Sequence, residues 1–136
     1  MAYDKNKNWY TWKANQLIGN FQTRHKKINK PYTYLTKRID YAEIIKTKLT
    51  RCEYCDCKLN KTNFSVDHKI PLSHGGDTSD VNLAYCCNHC NSAKGEMLDT
   101  EYKELIKMVS TWKDKGEYVL RKLRAAAVVF RRRRYK

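Results

Sequence analysis

Long apolar runs are missing from this sequence of 136 residues. The longest, Ala125 to Phe130, is six residues, against roughly 20 for a helix that crosses a bilayer, so no membrane-spanning helix is expected. The opening stretch, MAYDKNKNWY, holds no apolar signal core. The protein is therefore expected to stay where it is made, in the cytoplasm. No internal repeat is present, which excludes a solenoid or repeat array. Acidic residues are scarce, 14 Asp and Glu against 28 Lys and Arg, for a formal net charge of +14. What remains is one catalytic-sized domain with arms at most.

The positive charge is unevenly placed. Residues 1–50 carry 11 Lys/Arg and 3 Asp/Glu, a net +8, and residues 98–136 carry 12 and 5, a net +7. Between them residues 51–97 carry 5 and 6, a net −1. A basic N-terminal extension (1–50) and a basic C-terminal segment (98–136) thus flank a neutral core (51–97). Basic flanks suit a polyphosphate backbone, while neutral or acidic ligands in the core suit a bound cation. Four consecutive arginines, Arg131, Arg132, Arg133 and Arg134, exceed what solubility requires.

That core holds two Cys-x-x-Cys pairs, Cys52/Cys55 and Cys87/Cys90. In a secreted chain they would suggest disulfides. Without an export signal, the spacing points to a closed four-thiolate structural Zn2+ site. Cys57 and Cys86 are left over and are expected to be small buried hydrophobes. His89, inside the second pair, is a lesser alternative ligand. Between the pairs lie Asp67-His68, Pro71, Gly75-Gly76 and Asn82-Leu83, and Asn91 and Lys94-Gly95 follow the last cysteine.

This order resembles the zinc-knuckle branch of the HNH nucleases, over about a third of the chain. Where the family often has a final His the chain has Asn91, making it an H-N-N variant; an amide oxygen still suits a hard cation. The resemblance implies an α+β fold, a small ββα-metal core with a four-cysteine zinc site flanked by basic helices. It implies His68 as general base and Asp67 and Asn91 as ligands of a catalytic Mg2+ or Mn2+. It implies Asn82 as the residue that holds the long loop and orients His68, so the catalytic set is His68, Asn82 and Asn91. Lys94 is expected either to contact phosphate or to pair with a carboxylate. His74 is expected either to contact phosphate or to lie in solvent.

Hydrophobic spacing places these residues on elements. Trp9, Tyr10 and Trp12 read as anchors for the N-terminal segment more readily than as base-stacking groups. Leu17, Ile18, Phe21, His25 and Ile28 mark a helix over 14–28, with Arg24, Lys26 and Lys27 beside the stripe, closed by Pro31. Asp40 and Glu43 suggest a capping box opening a helix that buries Tyr41, Ile44, Ile45 and Leu49. Strands are expected at 64–68 and 83–86, and a helix from Asn91 that aims its first N–H groups at phosphate. A helix from Asp99 or Thr100 buries Tyr102, Leu105, Ile106, Val109 and Trp112 and ends at Gly116, before a last one over 117–130.

The expected function is metal-dependent endonucleolytic hydrolysis of duplex DNA, with no small-molecule cofactor and no membrane partner. The alternatives are a non-catalytic zinc-ribbon nucleic-acid-binding module, or an accessory nuclease in a larger DNA-packaging or homing complex. Abundant Lys, Asn, Ile and Tyr are what an A+T-rich genome encodes, as in a phage or its host.

Overall fold

The structure, a computed structural model, describes residues 8–32, 38–112, 115, 117–119 and 121–126; side chains 38 and 39 are not included. Helix α1 spans Trp9–Lys27 and α2 Arg38–Lys48. Strand β1 is Phe64–His68 and β2 is Leu83–Cys87; α3 (Asn88–Lys94) and α4 (Asp99–Ser110) follow. The fold is α+β, with an antiparallel two-stranded sheet in which Phe64 faces Cys87 and His68 faces Leu83. Among the described residues no helix is long and apolar enough to cross a membrane.

Helix α1 begins at Trp9, earlier than the expected Ala14. Asn8 caps it, its side chain accepting from Thr11 N at 3.2 Å, and Trp9 buries its ring edge-on against Phe64, 6.0 Å between centroids. The anchoring role of the aromatics therefore extends the helix by a turn and more. Leu17, Ile18, Phe21 and His25 form its buried stripe, but Ile28, expected to close it, is 47% exposed. The helix ends there because Asn29 turns left-handed, at φ 53°.

Asp40 lies inside the first turn of α2, so the expected capping box does not open that helix. Tyr41 and Ile45 are buried as expected, and Ile44 and Leu49 are partly so. One hydrophobic core joins α1, α2, the cysteine knuckle, the hairpin and Tyr102 of α4. Helix α4 stops at Ser110 rather than Gly116, and Trp112 is 46% exposed. At its start Leu98 N donates to Glu101 Oε1 at 2.9 Å. Residues 121–126 are helical; Arg131 to Arg134 lie outside the described residues.

The connection between the strands, residues 69–82, is held from within. It contains two 3-10 turns, Leu72–His74 and Asp80–Asn82. Gly75 takes φ 89°, a conformation that favours glycine. At Gly76 a Cβ would come 1.8 Å from the Ile70 carbonyl oxygen, so only glycine lets the loop close on itself. Lys30, just past α1, donates to the Gly76 carbonyl and so ties the loop to the N-terminal helix.

Candidate active site and thiol cluster

The four cysteine sulfurs lie within 4.8 Å of one another. Cys52 and Cys55 sit on a knuckle closed by Cys52 N to Cys57 O (2.9 Å) and Asp56 N to Cys52 O (3.0 Å). That knuckle needs a left-handed residue, and Asp56 supplies it at φ 63°. Cys87 ends β2 and caps α3, and Cys90 lies in the first turn of α3. Backbone N–H groups of Tyr54, Cys55 and Cys87 point at Cys52 Sγ, at 3.4, 3.5 and 3.3 Å. Such donors favour sulfur as thiolate. Hydrogen bonds from Cys87 and Cys90 pull Cys52 well below the usual thiol range, whereas the same pairing pushes Cys90 up and burial pushes Cys55 up. Four thiols this close cannot all ionise unless a cation balances them, so the donor set fits a soft, tetrahedral ion such as zinc. Cys86 is fully buried outside the cluster and its thiol is pushed up by burial; Cys57 is partly buried. His89 is exposed and contacts Arg124 instead of joining the sulfurs.

A cleft of ≈ 320 Å³ is lined by Asp67, His68, Asn91, Glu96, Arg24 and Lys27, among others. Asp67 and His68 are consecutive at the end of β1, and both are buried. Asp67 Oδ2 accepts from Tyr54 Oη at 3.0 Å and pairs with Lys94 Nζ at 3.0 Å. Burial raises the Asp67 carboxyl above the usual range, with Lys94 pulling the other way. Tyr54 is pushed up by burial and by Asp67, and so keeps the proton it donates.

His68 is pushed down to about 4, first by burial and then by the positive charge of Arg24. Its imidazole is therefore neutral at neutral pH, the form that can accept a proton. The ring is held edge-to-face by Phe21 at 5.4 Å and by a contact between Nε2 and Thr78 Oγ1 at 2.8 Å.

Asn91 lies in the middle of α3, not at its start, because the helix begins three residues earlier at Asn88. The expected aiming of helix N-terminal N–H groups from Asn91 therefore does not hold. Its Nδ2 donates to Ser65 Oγ at 2.5 Å, so oxygen is the atom that the amide has to offer in the cleft. Asn82 folds the loop: its Nδ2 donates to the carbonyls of Ile70 (3.0 Å) and Asp77 (2.7 Å), and its Oδ1 accepts from Ile70 N (2.9 Å). Lys94 is turned inward. Its side chain has no exposed surface, and its ammonium is shared between Asp67 and the His68 carbonyl, both at 3.0 Å. Of the two roles open to it, pairing with a carboxylate is the one seen. His74 is exposed and does not line the cleft.

The two basic residues of the cleft are not among the candidate site residues read from the sequence. Arg24 and Lys27, exposed on the last turns of α1, supply positive charge to a cavity whose motif residues are neutral or acidic. The sequence shows only their place beside an apolar stripe. No curated protein matches the chain. Residues 52–106, from the first knuckle cysteine into α4, match the family described as HNH endonuclease.

Proposed function

We propose that the protein is a divalent-metal-dependent endonuclease that hydrolyses phosphodiester bonds of duplex DNA, with His68 as general base and a structural zinc on Cys52, Cys55, Cys87 and Cys90. The observation that carries this reading is a buried, neutral His68 beside the buried carboxylate of Asp67 in an open cleft edged by Arg24 and Lys27. A binding module needs neither group at that place.

Asp67 and Asn91 would hold the cation. Both offer oxygen, which suits Mg2+ or Mn2+, and a desolvated carboxylate has more to gain from a cation than an exposed one. A divalent ion there would neutralise charge on the scissile phosphate and on the departing oxygen. His68 takes a proton from water as the water oxygen forms the new bond to phosphorus. The bond from phosphorus to the departing sugar oxygen breaks, and that oxygen leaves with the electron pair. Arg24 and Lys27 meet the non-bridging phosphate oxygens along the cleft edge. Asn82 acts at a distance by fixing the loop that carries Thr78 against His68. The basic ends, including Arg131 to Arg134, provide affinity for the polyanion, and the Lys-, Asn-, Ile- and Tyr-rich composition fits a phage gene.

Supercoiled plasmid incubated with the zinc-loaded protein tests this reading. Nicked or linear product should form with Mg2+ or Mn2+ and none with EDTA. Plasmid binding with no cleavage in any divalent ion would instead identify a non-catalytic nucleic-acid-binding module.

A further inference from the structure

Thr78 is fully buried, and its hydroxyl lies between two imidazoles. Oγ1 is 2.6 Å from His25 Nε2 and 2.8 Å from His68 Nε2. On the far side of His25, Nδ1 stands 3.1 Å from the Pro31 carbonyl oxygen. His25 is only 1% exposed, and α1, which carries it, precedes the segment that matches the HNH family.

The direction of each bond follows from donor and acceptor counting. A carbonyl oxygen only accepts, so His25 Nδ1 donates and holds a proton. When His25 is neutral its Nε2 is then bare, and accepts the hydrogen of the Thr78 hydroxyl. That hydroxyl has one hydrogen, so toward His68 it can only accept. His68 Nε2 must then be the protonated nitrogen, and Nδ1 the bare one.

We propose that His25 and Thr78 set the tautomer of His68, keeping its proton on Nε2 and leaving Nδ1 bare in the ring that lines the cleft. Both are positioning residues, since they act only through His68. The inference rests on the reading of His68 as the general base. It also gives the N-terminal helix a part in the chemistry: Phe21 limits the tilt of the ring, His25 orders its protons, and Lys30 holds the loop that delivers Thr78. An imidazole free to place its proton on either nitrogen would spend part of its time with the wrong one bare.

Nitrogen-15 histidine spectra of the zinc-loaded full chain, at mildly alkaline pH, report the tautomer whether or not the protein cuts DNA. The expected result is His68 protonated on Nε2 in the unaltered protein and a mixed or reversed tautomer in Thr78→Val. Thr78→Ser, which restores the hydroxyl, should bring the Nε2–H form back. In the plasmid assay Thr78→Val should lower kcat by roughly 10- to 100-fold with KM unchanged, and Thr78→Ser should recover it. His25→Phe keeps a ring in place but removes the acceptor, and should loosen the tautomer in the same way; it carries the test should Thr78→Val fail to fold. An Nδ1–H tautomer in the unaltered protein, or an unchanged Nε2–H tautomer in the folded variants, would overturn the proposal. Absence of cleavage with the predicted tautomers present would refute the nuclease reading and leave the tautomer assignment standing.

Discussion

Lys94 and Asp67 illustrate how the site is held at the scale of single residues. The lysine side chain is wholly buried and the aspartate nearly so, and each is the other's counter-charge. Removing one partner of such a pair strands a charge in low dielectric, at a cost of about 3–5 kcal/mol. Lys94→Met should therefore lower stability by an amount of that order, and Lys94→Met combined with Asp67→Asn should recover most of it. Chemical denaturation of the three proteins checks this; a Lys94→Met protein as stable as the unaltered one would show that the pair contributes little. His68 makes a second stability prediction, through pH. Its folded value is about 4, below the ordinary histidine value of about 6.5. As pH falls below the ordinary value, the unfolded chain takes up a proton that the native chain declines, and stability drops until about 4. Between pH 7 and 5 this amounts to roughly 2 kcal/mol. Denaturation at the two pH values should show that loss in the unaltered protein and a smaller one in His68→Gln. Equal losses would mean that His68 is not held neutral by the fold.

Among the elements, the hairpin is the most legible in the sequence, because knuckle chemistry restricts it. The strand over 64–68 is found as expected, since the alternation of Phe64 and Val66 between the two thiol pairs leaves few other solutions. The start of α3 was misplaced because Cys87 is both an expected zinc ligand and the helix cap, which draws the helix back to Asn88. Helix α1 was visible as a stripe of Leu17, Ile18, Phe21 and His25, but nothing in that spacing says what the stripe packs against. Its contribution to the cleft, through Arg24 and Lys27, depends on contacts between segments some 50 residues apart in sequence, as between His25 and Thr78. Periodicity reports the face of a helix and not its partner. The thiol cluster joins the knuckle, β2 and α3, so the bound ion should be a condition of folding. Metal analysis should find one zinc per chain, and Cys90→Ser should lose both the zinc and the cooperative thermal transition. A Cys90→Ser protein that melts as the unaltered one does without zinc would contradict the assignment.

For the molecule as a whole, the distribution of charge separates binding from chemistry. Residues 51–97, at −1, attract a polyanion little by themselves, so on the proposed function the affinity should come from both flanks. Each phosphate neutralised on duplex DNA adds about 0.9 to the slope of log K against log salt. Deleting residues 131–136, which hold four arginines and a lysine, should flatten that slope by about two to four units and weaken binding to all sequences alike. An unchanged slope would assign the arginines to an acidic partner instead. The deletion should spare cleavage at low salt and saturating DNA, because the groups assigned to the chemistry lie between Arg24 and Asn91. The central claim is that His68 supplies the base and little of the binding, and one comparison tests it most directly. His68→Ala and the unaltered protein, both zinc-loaded, are assayed side by side for plasmid cleavage in Mg2+ or Mn2+ and for DNA affinity. The account predicts loss of cleavage in His68→Ala with affinity nearly unchanged; cleavage at the unaltered rate would contradict it.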